Sequence, residues 1–162
     1  NPLKGFEILV DLLEPHGFLF LGLYSEIARQ DIIRAREFIK IRKFKATLED
    51  IRICRQEIFD AVDNQELQRI SKAGDFYSTS QVRDLIFNVQ EHRFTLPQIE
   101  EALNDLGLKF LGFELRQSWV RNGFRKLYPE KDALVSLPLW HQFELKKPNT
   151  FARMYQFWVQ KA

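Results

Sequence analysis

The chain has 162 residues, of which 45% are hydrophobic and 28% charged, the make-up of one folded domain with a sizeable core, not of a disordered or fibrous chain. Its 24 Lys and Arg are nearly balanced by 22 Asp and Glu, and a net charge of +2 argues against a dedicated nucleic-acid or membrane-surface binder. A single Cys54 excludes an internal disulfide and any multi-cysteine metal site, and a cysteine usage this low fits the cytoplasm.

Apolar residues from Leu3 to Leu13 recur at helical spacing, and Pro15 and Gly17 stop that helix. Phe18-Leu19-Phe20-Leu21-Gly22-Leu23-Tyr24 then reads as a strand buried on both faces, too short to span a bilayer. Ser25 is placed to cap a helix running from Glu26 to about Lys40. Thr47 caps the next helix, whose stripe is Leu48, Ile51, Cys54, Ile58 and Phe59. A polar stretch follows to Gly74. Ser78-x-x-Gln81 and Thr95-x-x-Gln98 are capping boxes, the second opening a helix that Gly107 ends. Residues 108–115 read as a second strand, 137–145 as a short helix and 150–160 as a third strand. The order is that of an α/β protein. The first strand carries no edge-protecting charge or proline, so it is expected to have neighbours on both sides.

The turn Leu13-Glu14-Pro15-His16-Gly17 before the strand Phe18-Leu19-Phe20-Leu21-Gly22-Leu23-Tyr24 resembles the fifth-strand region of class I S-adenosylmethionine-dependent methyltransferases, with His16 where a glycine is usual. Asn1-Pro2-Leu3 looks like the point just after the fourth strand. The stretch from Phe94-Thr95-Leu96-Pro97 to Phe113 looks like the helix and sixth strand, and Met154 to Lys161 like the seventh. Gly22 to Arg29, Asp75-Phe76-Tyr77-Ser78, Arg83-Asp84-Leu85 and Gln90-Glu91-His92-Arg93-Phe94 extend the likeness to bacterial members that often accompany tetratricopeptide repeats.

The resemblance implies the C-terminal half of a Rossmann-like class I methyltransferase sheet, with three strands in mixed orientation and a large helical insertion. Residues 1–25 would be the helix and fifth strand, 26–93 the insertion, and 94–162 the remaining helices with the sixth and seventh strands. The seventh strand would lie antiparallel between the other two. The seven glycines are scattered singly, so the glycine-rich turn that cradles the cofactor is absent. S-adenosylmethionine would be bound in the parent protein by a missing N-terminal half, with none expected on this chain alone, which would be inactive by itself. The open edge of the first strand would be paired with another chain, a homodimer included, or covered by a rearranged segment. The alternative function is a non-catalytic interaction module that uses the insertion or that edge.

Sites in open α/β sheets form beyond the carboxyl ends of strands. Tyr24, Ser25, Glu26 and Arg29 fall there and are substrate-binding candidates; the plain alternative is a capping Ser25 beside solvated Glu26 and Arg29. His92 is a candidate base near neutral pH, with Glu91 beside it. Trp140 and His141, with Glu144, could line a pocket, although the bulk of Trp140 also suits the core. Arg83 and Asp84 suit an internal ion pair or part of an acceptor pocket. The basic run Arg34, Arg36, Lys40, Arg42, Lys43 and Lys45 suits phosphates or, more plainly, a solvated helix end.

Overall fold

The computed structural model describes residues 2–72, 74–88, 90–151 and 154–162. The chain divides into two compact units, Asn1–Ala28 with His92–Ala162, and Arg29–Glu91.

The first unit is built on a mixed sheet of four strands in the order β2-β1-β4-β3, where β1 is Phe18–Ser25, β2 Arg93–Phe94, β3 Leu108–Phe113 and β4 Met154–Lys161. β4 runs antiparallel to both β1 and β3, between them. The three-strand expectation therefore needs one addition: β2 pairs parallel with the end of β1, Tyr24 opposite Arg93 and Ser25 opposite Phe94. Two residues are too few to leave a periodic signal in the sequence. The expected last strand began at Thr150. Its residues Ala152 and Arg153 lie outside the described residues, and Thr150 itself is buried with its hydroxyl donating to the Lys147 carbonyl.

Alternation decides which side of the sheet is core. Leu21 of β1 and Tyr155, Phe157 and Val159 of β4 point inward, among residues of helices α1 (Pro2–Asp11), α6 (Leu96–Asp105), α7 (Ser118–Leu127) and α8 (Leu137–Lys146). A bulge between Phe110 and Gly112 adds a residue to β3, so Phe110 and Phe113, three apart, meet edge to face at 5.0 Å and both pack on Phe157. Gly112 takes φ +139°, a value that favours glycine. The opposite side is open: Phe18 is 59% exposed, and the cross-strand pair Phe20 and Trp158 are each 43% exposed, their rings 4.9 Å apart. This corrects the expectation of a strand buried on both faces. Leu21 alone of the β1 apolar side chains is fully buried, because only one side of the sheet carries the core.

His16 sits at φ +63°, the left-handed conformation that suits the glycine it replaces, and its carbonyl accepts from the Gln160 side chain. Lys161 donates to the carbonyls of Val10 and Leu13 and so satisfies the end of α1.

The second unit is helical: α2 (Gln30–Arg42), α3 (Leu48–Asp60), α4 (Gln65–Ser71) and α5 (Thr79–Ile86), with a single 3₁₀ turn at Gly74–Phe76. Its core joins Ile32, Ala35, Ile51, Cys54, Ile58, Ile70, Phe76 and Val82. Thr47 caps α3 by accepting from the Asp50 N–H, as its spacing predicts. Ser78 precedes α5, yet its hydroxyl bonds to Ser80 instead of capping the helix. In α6 the Gln98 side chain reaches back to accept from the Thr95 N–H at 2.9 Å. Gly107, at φ +64°, carries the chain out of that helix.

Candidate functional site

β1 is uncharged and ends at Ser25, the residue expected to cap the following helix. It caps nothing. α2 begins only at Gln30, and Ser25 remains in the strand, 0% exposed. Its hydroxyl accepts from the Ala28 N–H at 2.9 Å and donates to Oε1 of Glu144 at 2.6 Å. Oε2 of Glu144 accepts from the Tyr155 hydroxyl at 2.7 Å. Glu144 and Tyr155 are also 0% exposed.

Three elements converge to make this network. β1 ends there. β4 runs antiparallel, so its start lies at the same end of the sheet, and Tyr155 is the first of its inward positions. On α8 the buried positions Leu137, Trp140 and Glu144 follow one helical stripe, so the helix directs the carboxylate inward. Burial drives the Glu144 carboxyl upward from its ordinary value, because charge is disfavoured away from water, while the bonds from Ser25 and Tyr155 pull it partly back. Burial and the nearby carboxylate likewise push the Tyr155 phenol upward.

Beside it, Arg93 donates from Nε to Glu26 at 2.8 Å, and the Glu26 N–H donates to the Phe94 carbonyl at 2.9 Å. This pair is partly exposed, with side-chain exposures of 24% and 39%. Tyr24 is half-buried on the same strand end. His92 is exposed. Trp140 is a core residue, 1% exposed, stacked on Phe124 at 3.7 Å and donating its indole N–H to the Leu134 carbonyl. His141 is half-buried, and its enclosed Nδ1 has no hydrogen-bond partner among the described residues.

In the helical unit, Glu91 is engaged by two arginines. Arg29 grips both carboxylate oxygens, at 2.9 and 2.7 Å, and Arg36 adds a bond at 2.9 Å. Side-chain exposures of 3% for Glu91 and 6% for Arg29 make this a buried ion cluster. Arg29 is therefore not the solvated residue of the plain reading, and both oxygens of the Glu91 carboxylate are engaged by guanidiniums. Of the basic run, Arg34 pairs with Glu37 and Glu66, Arg36 with Glu91 and Arg42 with Glu57, which leaves a weaker field for phosphates. Arg83 and Asp84 are both exposed, on α5.

Among the described residues no group of three or more His, Cys, Asp or Glu could hold a metal ion, and no helix is long and apolar enough to cross a membrane. The turn after β1 does not fit a nucleoside cofactor as a backbone cradle. Its Glu26 and Ala28 amides already bond to Phe94 and Ser25, and it contains no glycine.

No family model matches the sequence, and no curated protein matches it. Solved structures do. PKMT2 from Rickettsia typhi matches over 98% of this chain with a TM-score of 0.65 and 18% identity. PKMT2 from Rickettsia typhi in complex with AdoHcy matches over 97% with a TM-score of 0.62 and 16% identity. At such identity the likeness is one of fold alone, an α/β architecture shared with part of PKMT2. The chain spans 31% of the length of either structure.

Proposed function

We propose that this chain is the C-terminal, acceptor-side portion of an S-adenosylmethionine-dependent methyltransferase of class I, with Arg29–Glu91 as a helical insertion. The observation that carries the reading is the antiparallel β4 set between β1 and β3, the arrangement expected of the seventh strand between the fifth and sixth. The similar fold of PKMT2 in its complex with AdoHcy supports it, because AdoHcy is what S-adenosylmethionine becomes on losing its methyl group.

The cofactor would be held mainly by a companion portion, since the turn after β1 offers no backbone cradle. That portion would complete the sheet along β1. β2 pairs there only with Tyr24 and Ser25, and the edge of residues 18–23 carries neither charge nor proline to deter a further strand. Phe18, Phe20 and Trp158 on the open side of the sheet would be covered in the same step. Tyr24, Glu26, Arg93 and His92 would border the acceptor, with Ser25, Glu144 and Tyr155 holding the end of β1 from within.

Calorimetry tests this. The isolated chain should bind no S-adenosylmethionine, and the longer protein containing it should. Tight binding to the isolated chain would refute the division of labour. A concentration-dependent dimer abolished by Phe20→Lys would instead make a second copy the occupant of the edge.

A further inference from the structure

We propose that the outward face of α7 is a docking strip for a short acidic segment of a partner polypeptide. The strip is built from residues outside the site described above, and it does not depend on methyl transfer.

α7 is held from one side. Val120 and Phe124 are its buried residues, one turn apart, and Phe124 stacks on Trp140 of α8. At about 100° per residue, Arg121, Asn122, Arg125 and Lys126 fall outside that arc, and all four are exposed. The helix carries three cations and no acid in its ten residues. Among the described residues none of these cations makes an ion pair. Arg34, Arg42 and Arg93, in contrast, each hold a carboxylate. The negative end of the helix dipole accounts for Arg125 and Lys126 in the last turn, but not for Arg121 a turn earlier.

Two neighbours extend the strip. The Lys147 ammonium sits 5.2 Å over the Phe143 ring and 3.5 Å from where a side chain on Gly123 would begin, so a fourth cation rests against α7. Trp119 is 45% exposed, and its indole N–H donates to the Gln117 side chain, which fixes the ring at the edge of the cations.

Length and surroundings select the partner. Ten residues of helix span about 15 Å. The chain carries exposed Glu114 just before α7 and exposed Glu130 and Asp132 just after it. A phosphate backbone running on past α7 would meet those carboxylates, and a net charge of +2 supplies no wider field to hold it. A lipid surface would take the apolar side of the helix, but Val120 and Phe124 are committed to the core. A short acidic segment fits. Carboxylates one helical turn apart match Arg121 and Arg125, whose guanidiniums can each grip both oxygens, and an apolar neighbour on the partner meets Trp119. Trp and Arg are the side chains that dominate the binding energy of protein interfaces.

The experiment titrates nitrogen-15-labelled protein with a short peptide that repeats Glu-Glu-Leu-Ala. The α7 amides and the Trp119 indole N–H, assigned by its loss in Trp119→Phe, should shift together and saturate. Arg121→Glu combined with Arg125→Glu should weaken binding by about tenfold or more. Lys40→Glu combined with Lys43→Glu, which reverses two other exposed cations, should leave it unchanged. A peptide with Ser in place of Leu should bind more weakly, because it leaves Trp119 uncovered. If the double arginine variant fails to fold, Lys126→Glu with Trp119→Ala serves in its place. Shifts that do not favour α7, or affinity unmoved by the α7 variants, would overturn the proposal. So would tighter binding of α7 to oligouridylate or to phosphatidylglycerol vesicles, which would make a nucleic acid or a lipid surface the occupant. Methyl transfer enters none of these measurements, so the docking strip and the proposed function fail separately.

Discussion

Replacing Glu91 by Gln probes the helical unit at its most constrained point. The substitution keeps the shape and removes the charge, leaving Arg29 and Arg36 facing one another across a neutral amide. Three bonds of 2.7–2.9 Å converge on that carboxylate. Its side chain is 3% exposed, and those of Arg29 and Arg36 are 6% and 20% exposed, so water can do little to compensate. Glutamine can accept from one guanidinium through its oxygen, but its NH₂ meets donors. Removing one partner of a buried ion pair costs about 3–5 kcal/mol. At about 2–4 °C per kcal/mol for a chain of this size, the melting temperature should fall by roughly 6–20 °C. Because the chain has two units, hydrogen exchange resolved to α2 and α5 should accompany the thermal scan and show the loss there. Glu37→Gln, which removes a half-exposed partner of Arg34, is the control and should leave the midpoint unmoved. A Glu91→Gln protein within about 0.5 kcal/mol of the native one would refute the reasoning.

Three further outcomes follow from burial. Trp140→Ala should destabilise by about 3–5 kcal/mol in denaturant unfolding, because it empties the stack on Phe124 and orphans the Leu134 carbonyl. Cys54 is fully enclosed and its thiol is pushed up to about 12, so iodoacetamide should modify it only on unfolding, and rapid native labelling would contradict its burial. The Glu144 carboxyl is raised in the fold, so the stability it contributes is full below its ordinary value of 4.5 and is lost as pH rises through the folded value. Glu144→Gln should therefore gain on the native protein in unfolding free energy as pH rises from 4 toward 8, and a difference that is flat or falls with pH would contradict that sign.

Long periodic elements and the turn chemistry of Thr47, Thr95 and Gly107 are legible in the sequence because their causes are local. The polar stretch before Gly74 hides α4, a seven-residue helix whose stripe is little more than Leu67 and Ile70. β2 is hidden by its length, and its role depends on a partner nearly seventy residues earlier in the chain. Ser25 shows how local reasoning is overridden. A serine before an acidic residue reads as a cap, yet its hydroxyl is claimed by Glu144, 119 positions away. Glu144 is legible beside Trp140 and His141 as a pocket residue, and its place on the stripe of Leu137 and Trp140 marks it as a charge directed into a core. Tyr155 is not, because in β4 it alternates with Phe157 and Val159 as any core aromatic would. Arg29 and Glu91, 62 positions apart, were legible as chemistry but not as partners.

The most direct test of the account is methyl transfer by the longer protein it proposes, this chain joined to its companion portion, followed with S-adenosylmethionine labelled in its methyl group and a lysate fraction as acceptor. The account predicts label transfer by the longer protein, none by the isolated chain, and loss of transfer when Phe20→Lys places a charge beside the open edge of β1. A longer protein that neither binds nor consumes S-adenosylmethionine, or an isolated chain that transfers the label unaided, would contradict it.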